Sequence, residues 1–336
     1  MRHGMRRMGH WWPVLALAAS AACARTSADA RDAQPSSPNE LVVRLLDVGQ
    51  GDATYITNGG SRVIIDGGPD PRRFGALLDS LGVHDDTVDV VVLTHAHADH
   101  YSGLRELFRS RRHITVRYFF ENQDPSAAVT LRQLRDSIGA RVQRGELVYR
   151  DANDPCGDGQ PVCTVTLRGG AKLHIMRPVP RPASVNDRSV PMKLVGPDSA
   201  SFTMWIAGDA EREAIGWFLG EAGYARDPGM RVNILKADHH GSCNGVTGDY
   251  LAALRPDTAV VSVGAVNDYG HMHEQAKSIY RAAHVPWYRT DQNGTITIRT
   301  PGTPGGGYRI EVAHPGTDQD GPSDRRASAR GCKGDG

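Results

Sequence analysis

The chain has 336 residues and a formal net charge of +1, from 39 Lys+Arg against 38 Asp+Glu. Hydrophobic residues make up 39% of it and charged residues 23%, proportions that exclude an intrinsically disordered chain, a collagen and a polytopic membrane protein. The near-zero charge argues against a protein that coats nucleic acid by bulk electrostatics. Histidine is the informative residue type, because seven of the 14 histidines fall in three short clusters.

The N-terminus has the pattern of a secretory signal. Residues 1–10 are basic, and the apolar run over 11–22 is too short to span a bilayer. We therefore expect residues 1–24 to direct export, which would make the protein periplasmic or extracellular. The tetrapeptide SAAC at 20–23 resembles a bacterial lipobox, so a membrane anchor through lipidated Cys23 is one alternative. Cleavage after an Ala-x-Ala pattern without lipid attachment is the other.

Composition divides the remaining chain into three parts. Residues 25–39 are rich in Ala, Ser, Asp and Pro and read as a linker. Residues 40–314 carry the apolar patterns of one folded domain, and residues 315–336 read as a disordered tail. The pattern contains no transmembrane bundle, and it leaves the oligomeric state open. Cys156 and Cys163 flank a Gly/Pro-rich loop, where an oxidising compartment would favour a disulfide over two thiols.

The predicted elements alternate between strands and helices. In the first half, the strands are Leu41–Asp47, a hairpin of Thr54–Thr57 with Arg62–Asp66, Val88–Thr94 and Ile114–Phe120, with helices at Pro71–Leu81, Gly103–Phe108 and Pro125–Ile138. In the second half, the strands are Cys163–Leu167, Lys172–Met176, Phe202–Ala207, Val232–Lys236, Thr258–Val263 and Thr295–Arg299, with helices at Ala210–Leu219, Tyr250–Leu254 and Gln275–Ala283. Both halves place polar clusters directly after apolar strands, where open α/β sheets bind their ligands.

The strongest signal is the segment HAHADH at 95–100, which follows a nearly continuous apolar strand. It places His95, His97, Asp99 and His100 within six residues. Such a set is costly to bury without a cation. Imidazole and carboxylate ligands suit Zn, Mn or Fe, whereas structural zinc sites use thiolates. The segment therefore predicts a metal site.

Three later clusters also follow predicted strands. Asp209 ends an apolar strand and is either a metal ligand or a helix N-cap. In KADHHGS at 236–242, the adjacent His239 and His240 point in different directions, so we expect one of them to bind metal and the other to support it or face the substrate. The last cluster contains His271 and His273.

These motifs together resemble a known family. DVGQGDA at 47–53, IIDGG at 64–68, THAHADH at 94–100, NDRS at 186–189, GD at 208–209, KADHHGS at 236–242 and NDYGH at 267–271 occur in the order found in the C-terminal metallo-β-lactamase-like domain of ComEC-type DNA-uptake (competence) proteins and in free-standing exported hydrolases. The resemblance covers about 40–300. It implies a four-layer αββα sandwich with a dinuclear metal site.

The resemblance also implies individual roles for residues. His95 and His97 would bind one divalent ion, either Zn or Mn. Asp99, His100 and one of His239 and His240 would bind the second, with Asp209 bridging the two. Asp66 would support the histidine loop from behind the ligands. Asp99, Asp209 and His271 are the residues that it implies for catalysis.

Two departures from the family pattern affect this ligand set. Many enzymes of this fold have another histidine between the first cluster and the bridging aspartate, and here only His113 and His174 lie in that interval. Neither falls in a matching motif, so the first ion would have fewer protein ligands. Met272 also replaces the usual proline after His271.

The chemistry that we expect is hydrolysis of a phosphodiester. Two cations lower the pKa of a bridging water, which generates a hydroxide near neutral pH. His271, or the histidine of 239 and 240 that does not bind metal, would protonate the leaving oxygen or contact phosphate. Lys236, Asn186, Ser189 and Ser242 are candidates for the phosphate site, with structural roles in turns or ion pairs as the alternative.

Four functions remain open from the sequence. The first is an exported nuclease acting on single-stranded DNA, with arginines 105, 109, 111, 112 and 117 as a phosphate-binding patch, unless Glu106 neutralises them. The others are a hydrolase of envelope phosphoesters of the phosphocholine or teichoic-acid type, a β-lactamase-like amide hydrolase, and a non-catalytic competence accessory.

Overall fold

The computed structural model describes residue 1, residues 37–316 and residues 319–321. The expected signal segment, Cys23, most of the linker and most of the tail lie outside the described residues. Within the described part, no helix is both long enough and apolar enough to cross a membrane.

Eight strands form the first sheet. They are β1 (Leu41–Leu45), β2 (Thr54–Asn58), β3 (Ser61–Ile65), β4 (Thr87–Val92), β5 (Thr115–Glu121), β6 (Val148–Asp151), β14 (Ile296–Thr300) and β15 (Arg309–Val312). Their order is β15-β14-β1-β2-β3-β4-β5-β6. The pairs from β3 to β6 are parallel and the remaining pairs antiparallel.

Seven strands form the second sheet. They are β7 (Val162–Thr166), β8 (Lys172–Met176), β9 (Met192–Val195), β10 (Thr203–Ile206), β11 (Ile234–Lys236), β12 (Thr258–Val261) and β13 (Trp287–Arg289). Their order is β13-β12-β11-β10-β9-β8-β7. The strands from β10 to β13 are parallel, so each sheet combines an antiparallel part with a parallel part.

Seven α-helices accompany these sheets in the described residues. They are α1 (Pro71–Ser80), α2 (Ala98–Tyr101), α3 (Val129–Gln143), α4 (Arg212–Leu219), α5 (Gly248–Leu254), α6 (Glu274–Ala282) and α7 (Thr290–Asn293). The segment expected as a helix at Gly103–Phe108 is a 3₁₀ helix. Asp70 caps α1 by accepting from the Arg72 amide, with Pro71 in the first helical position.

Three apolar cores separate the four layers. Between the sheets, Val43 and Val92 belong to the same core as Met204 and Ile206. A second core on the outer face of the first sheet includes residues of α1 and α3, and a third core includes residues of α4, α5 and α6 with strands of the second sheet. The predicted αββα sandwich is therefore confirmed.

The turns of the two sheets also contact each other. Asn58 is buried, its amide donates to the carbonyls of Asn39 and Glu40, and its side-chain oxygen accepts from the Ala171 amide. Gly59 has a φ of +59°, and a Cβ there would meet the Gly169 nitrogen at 2.2 Å. The predicted Asn-Gly turn thus does more than reverse the chain, because it joins the two sheets.

Two expectations about the chain outside the core have different outcomes. Cys156 and Cys163 form a disulfide, which was the expected alternative to two free thiols. The tail segment 319–321 is bound to the domain, which differs from the expected disorder. The Trp287 indole and the buried Arg289 guanidinium both donate to the Gln319 carbonyl.

Candidate metal centre

The candidate site lies at the carboxyl ends of parallel strands from both sheets. Asp66 follows β3 and His95 lies three residues after β4, while Asp209 follows β10 and His240 follows β11. Parallel strands bring their carboxyl ends to one edge, which is why side chains so distant in sequence meet there. The site thus lies at the shared edge of the two sheets.

The Asp209 carboxylate is the centre of this arrangement. Its Oδ2 lies 3.2 Å from His240 Nε2, 3.3 Å from His100 Nε2, 3.9 Å from His95 Nε2 and 4.0 Å from His239 Nε2. The backbone turns sharply before it, because Gly208 has a φ of +58° and a Cβ there would meet Thr94 at 2.8 Å. This placement is what a bridging carboxylate requires.

Four of the expected ligands form one compact group. Single ligand atoms of Asp99, His100, Asp209 and His240 all lie within 4.8 Å of one another. His100 Nε2, His240 Nε2 and Asp209 Oδ1 are buried and make no hydrogen bond within the described residues. Buried polar atoms without partners are unfavourable. A divalent cation would satisfy all of them, so these residues fit the metal that the fold implies.

The imidazoles of His95 and His97 lie next to each other, and His95 is also close to Asp209. His95 Nε2 lies 3.0 Å from His97 Nδ1. Burial, and then His100, hold the pKa of His95 well below its usual range, so His95 is a neutral imidazole that can bind metal. Neither His113 nor His174 joins them: His113 is exposed, and His174 hydrogen-bonds to Thr164 within the second sheet.

Hydrogen bonds orient two of the imidazoles from behind. Asp66 accepts from the Thr94 amide at 2.9 Å and from the Thr94 hydroxyl at 2.7 Å, and its Oδ2 lies 2.8 Å from His100 Nδ1. His240 Nδ1 is 2.9 Å from the Ser262 carbonyl and donates to it. Both rings therefore direct Nε2 at Asp209. In metal sites, a hydrogen bond to the other ring nitrogen commonly orients a histidine ligand in this way. Asp66 has the position that the resemblance implies.

The carboxylates around these imidazoles control their charge. Burial lowers the pKa of His100, but Asp209, Asp66 and Asp99 more than reverse this, and the net pKa is well above the usual value. The pKa of His240 is raised in the same way, mainly by Asp209 against burial. Burial raises the pKa of Asp209, yet His240 and His100 bring it well below its usual range.

The two adjacent histidines of 239–240 have separate positions. Both have left-handed backbones, with φ of +47° and +55°. His240 joins the ligand group, whereas His239 places Nδ1 3.0 Å from Glu211 Oε1. The Asn186 amide donates to the same Glu211 oxygen at 3.0 Å. Sequence reasoning missed Glu211, although an acidic residue two positions after Asp209 was a signal.

Gln50 determines which nitrogen of His271 carries the proton. The Gly264 amide donates to Gln50 Oε1 at 3.1 Å, which leaves Gln50 Nε2 to donate to His271 Nδ1 at 3.4 Å. Burial, and then His240 and His239, lower the pKa of His271 to about 2. His271 is therefore neutral and carries its proton on Nε2. Gln50 lies in the motif DVGQGDA at 47–53, but the sequence alone did not predict this role for it.

These groups line a cleft with a volume of about 660 Å³. Asn186 and Ser242 line it, as expected for a substrate site, together with His97, Asp99, Asp209, His239, His240 and His271. Two substrate-binding expectations need correction. Lys236 is 1% exposed and forms a 2.5 Å ion pair with Asp52 beneath the site, and Ser189 is fully buried with its hydroxyl accepting from the Asp209 amide.

Four of the five arginines expected as a phosphate-binding patch contact carboxylates within the protein, and Arg105 donates to the Gln133 side-chain oxygen. Arg109, Arg111 and Arg112 all contact the buried Glu106, at 2.7, 3.3 and 3.2 Å. Arg112 also contacts Asp79, and Arg117 contacts Asp89. Glu106 therefore offsets part of the positive charge of this surface, while the side chains of Arg109 and Arg111 stay 49% and 66% exposed.

Comparison with known proteins agrees with the fold. Residues 46–118 match a family model described as the metallo-beta-lactamase superfamily. The matched segment contains Asp66 and the complete histidine loop. The architecture, the motif order and this match define a protein with the metallo-β-lactamase fold and a candidate metal centre.

Two known bacterial proteins are similar over most of the chain. ComE operon protein 3 of Bacillus subtilis is 26% identical over 291 residues, which are 79% of this chain and 34% of that protein. Competence protein ComA of Neisseria gonorrhoeae is 23% identical over 262 residues, 77% of this chain and 32% of that protein. The chain thus spans about a third of the length of these relatives, and the resemblance to ComEC-type proteins is confirmed.

One solved structure aligns with the chain at low similarity. The metallo-beta-lactamase fold protein YhfI from Bacillus subtilis aligns with a TM-score of 0.45 at 12% identity. The alignment covers 75% of this chain and 96% of that chain.

Replacing His240 should weaken metal binding much more than replacing His239. We expect His240→Ala to weaken Zn²⁺ or Mn²⁺ affinity by about tenfold to a hundredfold, because it removes a member of the ligand group. His239→Ala should leave the affinity within about threefold of wild type. Isothermal titration with each ion measures both variants, and equal losses would contradict the assignment of His240 as the ligand.

Metal binding should release protons. Because the pKa values of His100 and His240 are raised, both imidazoles hold a second proton at neutral pH, and a cation must displace it. Affinity should therefore increase as the pH rises from about 6 through neutrality and beyond, with about one to two protons released per chain at neutral pH. Titrations in buffers of different ionisation enthalpy measure this release, and a heat independent of the buffer would contradict it.

Proposed function

We propose that this protein is an exported metal-dependent phosphodiesterase whose main substrate is DNA. The observation that carries the proposal is the Asp209 carboxylate, which lies within 4.0 Å of four imidazoles at an open cleft. Such a group binds divalent cations, and the cleft offers neutral hydrogen-bond donors beside them. A phosphodiester, with its single negative charge, complements that combination.

Two further observations support the substrate and the location. The similar protein from N. gonorrhoeae is named as a competence protein, which favours DNA over other phosphodiesters. The disulfide between Cys156 and Cys163 favours an oxidising compartment, in agreement with the signal pattern at 1–24.

The ligand group would hold the metal ions while the surrounding residues keep it in shape. Asp99, His100, Asp209 and His240 would hold one ion, and His95 and His97 with Asp209 would hold the other. Divalent ions bound there would supply Lewis acidity, which lowers the pKa of water and offsets charge on phosphorus-bound oxygens. Asp66 and the Ser262 carbonyl fix the two imidazoles that face Asp209.

His271 serves as a hydrogen-bond donor in this proposal. With its pKa lowered to about 2, His271 is a neutral imidazole near neutral pH, which suits a hydrogen-bond donor better than an acid. Its Nε2–H would instead donate to a phosphate oxygen, which helps most as negative charge increases on that oxygen. Of the two roles expected for His271, contact with phosphate is thus the one that fits.

The pair of Glu211 and His239 supports transfer of a proton to the leaving oxygen. His239 Nδ1 lies 3.0 Å from Glu211 Oε1, and its Nε2 lies 3.5 Å from the Asn186 amide nitrogen, which also lines the cleft. As water oxygen bonds to phosphorus and the bond to the leaving oxygen breaks, the water proton passes to His239 and onward to the leaving group. Asn186 steadies Glu211 through its own amide bond.

Hydrolysis of bis(p-nitrophenyl) phosphate tests the proposed function. Metal-stripped protein resupplied with Mn²⁺ or Zn²⁺ should hydrolyse this diester, and Asp209→Ala should lower turnover by at least about a hundredfold because the ligand group loses its centre. Parallel assays with choline-phosphate esters and nitrocefin separate the envelope-ester and β-lactamase alternatives. Protein that binds metal but hydrolyses no phosphodiester would refute the proposal.

Gln50→Glu should alter the protonation of His271. A carboxylate beside Nδ1 would attract the proton to that nitrogen, and Nε2 would then have no proton to donate to the phosphate. We expect diester turnover to decrease on the order of a hundredfold, mainly in kcat. Histidine ¹⁵N chemical shifts of the metal-free chain report the tautomer, and an unchanged Nε2–H tautomer with reduced activity would show that Gln50 acts in another way.

A further inference from the structure

We propose that Tyr269 is a stacking platform for an unpaired nucleobase next to the cleaved phosphate, an inference that rests on the proposed phosphodiesterase function. Tyr269 lines the same cleft as Asp209, and 61% of its surface is exposed. Large aromatic side chains usually bury such a surface. An exposed ring at the edge of a candidate metal cleft is therefore available to a ligand.

The ring follows a row of imidazoles that begins at the ligand group. The rings of His240 and His271 have centroids 5.9 Å apart, and those of His271 and Tyr269 are stacked at 5.5 Å with an angle of 22°. Tyr269 is thus two ring contacts from the ligand His240. A substrate with its phosphate at the ligand group would carry its neighbouring base toward this row.

The loop that carries Tyr269 is held in place by hydrogen bonds. The Asn267 amide donates to the carbonyls of Gly264 and His271, and its side-chain oxygen accepts from the His271 amide. The Tyr269 carbonyl lies 3.0 Å from His273 Nε2, which donates to it. The ring is therefore presented from a fixed backbone, which lowers the entropy lost on stacking.

Stacking on an aromatic side chain identifies the ligand by its chemistry. Every nucleobase has a flat π-face, so the contact tolerates any sequence. A base inside a duplex has both faces covered by its neighbours, so only an unpaired strand can offer one. The arginines 109, 111 and 112 contact Glu106 and would attract the phosphates of any strand, whereas this ring would distinguish an unpaired strand by its bases.

The test compares strands that have the same charge and differ in their bases. Metal-loaded full-length protein is offered an oligothymidylate about twelve nucleotides long, an abasic strand of equal length, and the thymidylate annealed to oligoadenylate. Binding is followed by fluorescence anisotropy of end-labelled strands whose phosphorothioate backbone slows cleavage, and cleavage is followed on unmodified strands. The variants are Tyr269→Ala, Tyr269→Phe and, as the matched control, Tyr118→Ala, since Tyr118 is also exposed and lies on β5.

We expect Tyr269→Ala to weaken binding and raise KM for the thymidylate strand about tenfold or more, with kcat nearly unchanged. The abasic strand should bind weakly to wild type and be insensitive to the variant, and Tyr269→Phe and Tyr118→Ala should behave as wild type. Equal losses on thymidylate and abasic strands, or no loss on either, would overturn the proposal.

The outcome is separable from that of the proposed function. Base-dependent binding that requires Tyr269, in a chain that cleaves no phosphodiester, would support the platform and refute the phosphodiesterase. Cleavage of phosphodiesters with no dependence on Tyr269 or on the bases would support the phosphodiesterase and refute the platform.

Discussion

The structure depends on one buried carboxylate. Asp209 follows a strand of the second sheet, and His100 follows a strand of the first, so the attraction between this carboxylate and the His100 imidazole is one of the contacts that join the two halves. The apolar core between the sheets brings their edges together, but it does not determine which polar groups meet there. Gly208 allows the close approach, because any side chain there would meet Thr94. The ion pair of Asp209 with His100 and the close packing of Gly208 on Thr94 thus occur at the same sheet edge, where the cleft opens.

Most of the architecture could be predicted because long apolar strands ended in unusual polar clusters. The strands missed from the sequence were β6, β9, β13 and β15, each of three or four residues and too short for a clear alternation. Pairing with a longer neighbour creates such strands, and local sequence does not encode that pairing. The tail segment 319–321 was missed for a related reason, since most of its contacts use backbone carbonyls, which composition does not reveal, beside one ion pair between Asp320 and Arg281.

The candidate site also has a part that the sequence predicts and a part that only the structure reveals. The ligands were predictable because four of them occur together at 95–100, but spacing could not decide between His239 and His240, whose separation depends on two left-handed backbone conformations. Lys236 was expected in contact with substrate because it lies in a motif, yet its pairing with Asp52 places it beneath the cleft. Gln50 and Glu211 act through histidines distant in sequence, which only the tertiary structure reveals.

The backbone at His239 and His240 also limits how this loop can be varied. Consecutive non-glycine residues with positive φ are unfavourable for most side chains, least so for Asn, Asp and His, and strongly so for β-branched residues. A mutational library at these positions would therefore be filtered first by conformation and only then by chemistry. Asparagine would preserve the loop at position 239 while removing the imidazole, whereas valine or isoleucine would disturb the loop itself. Engineering of this cleft has to choose substitutions that the backbone accepts before it changes the reaction.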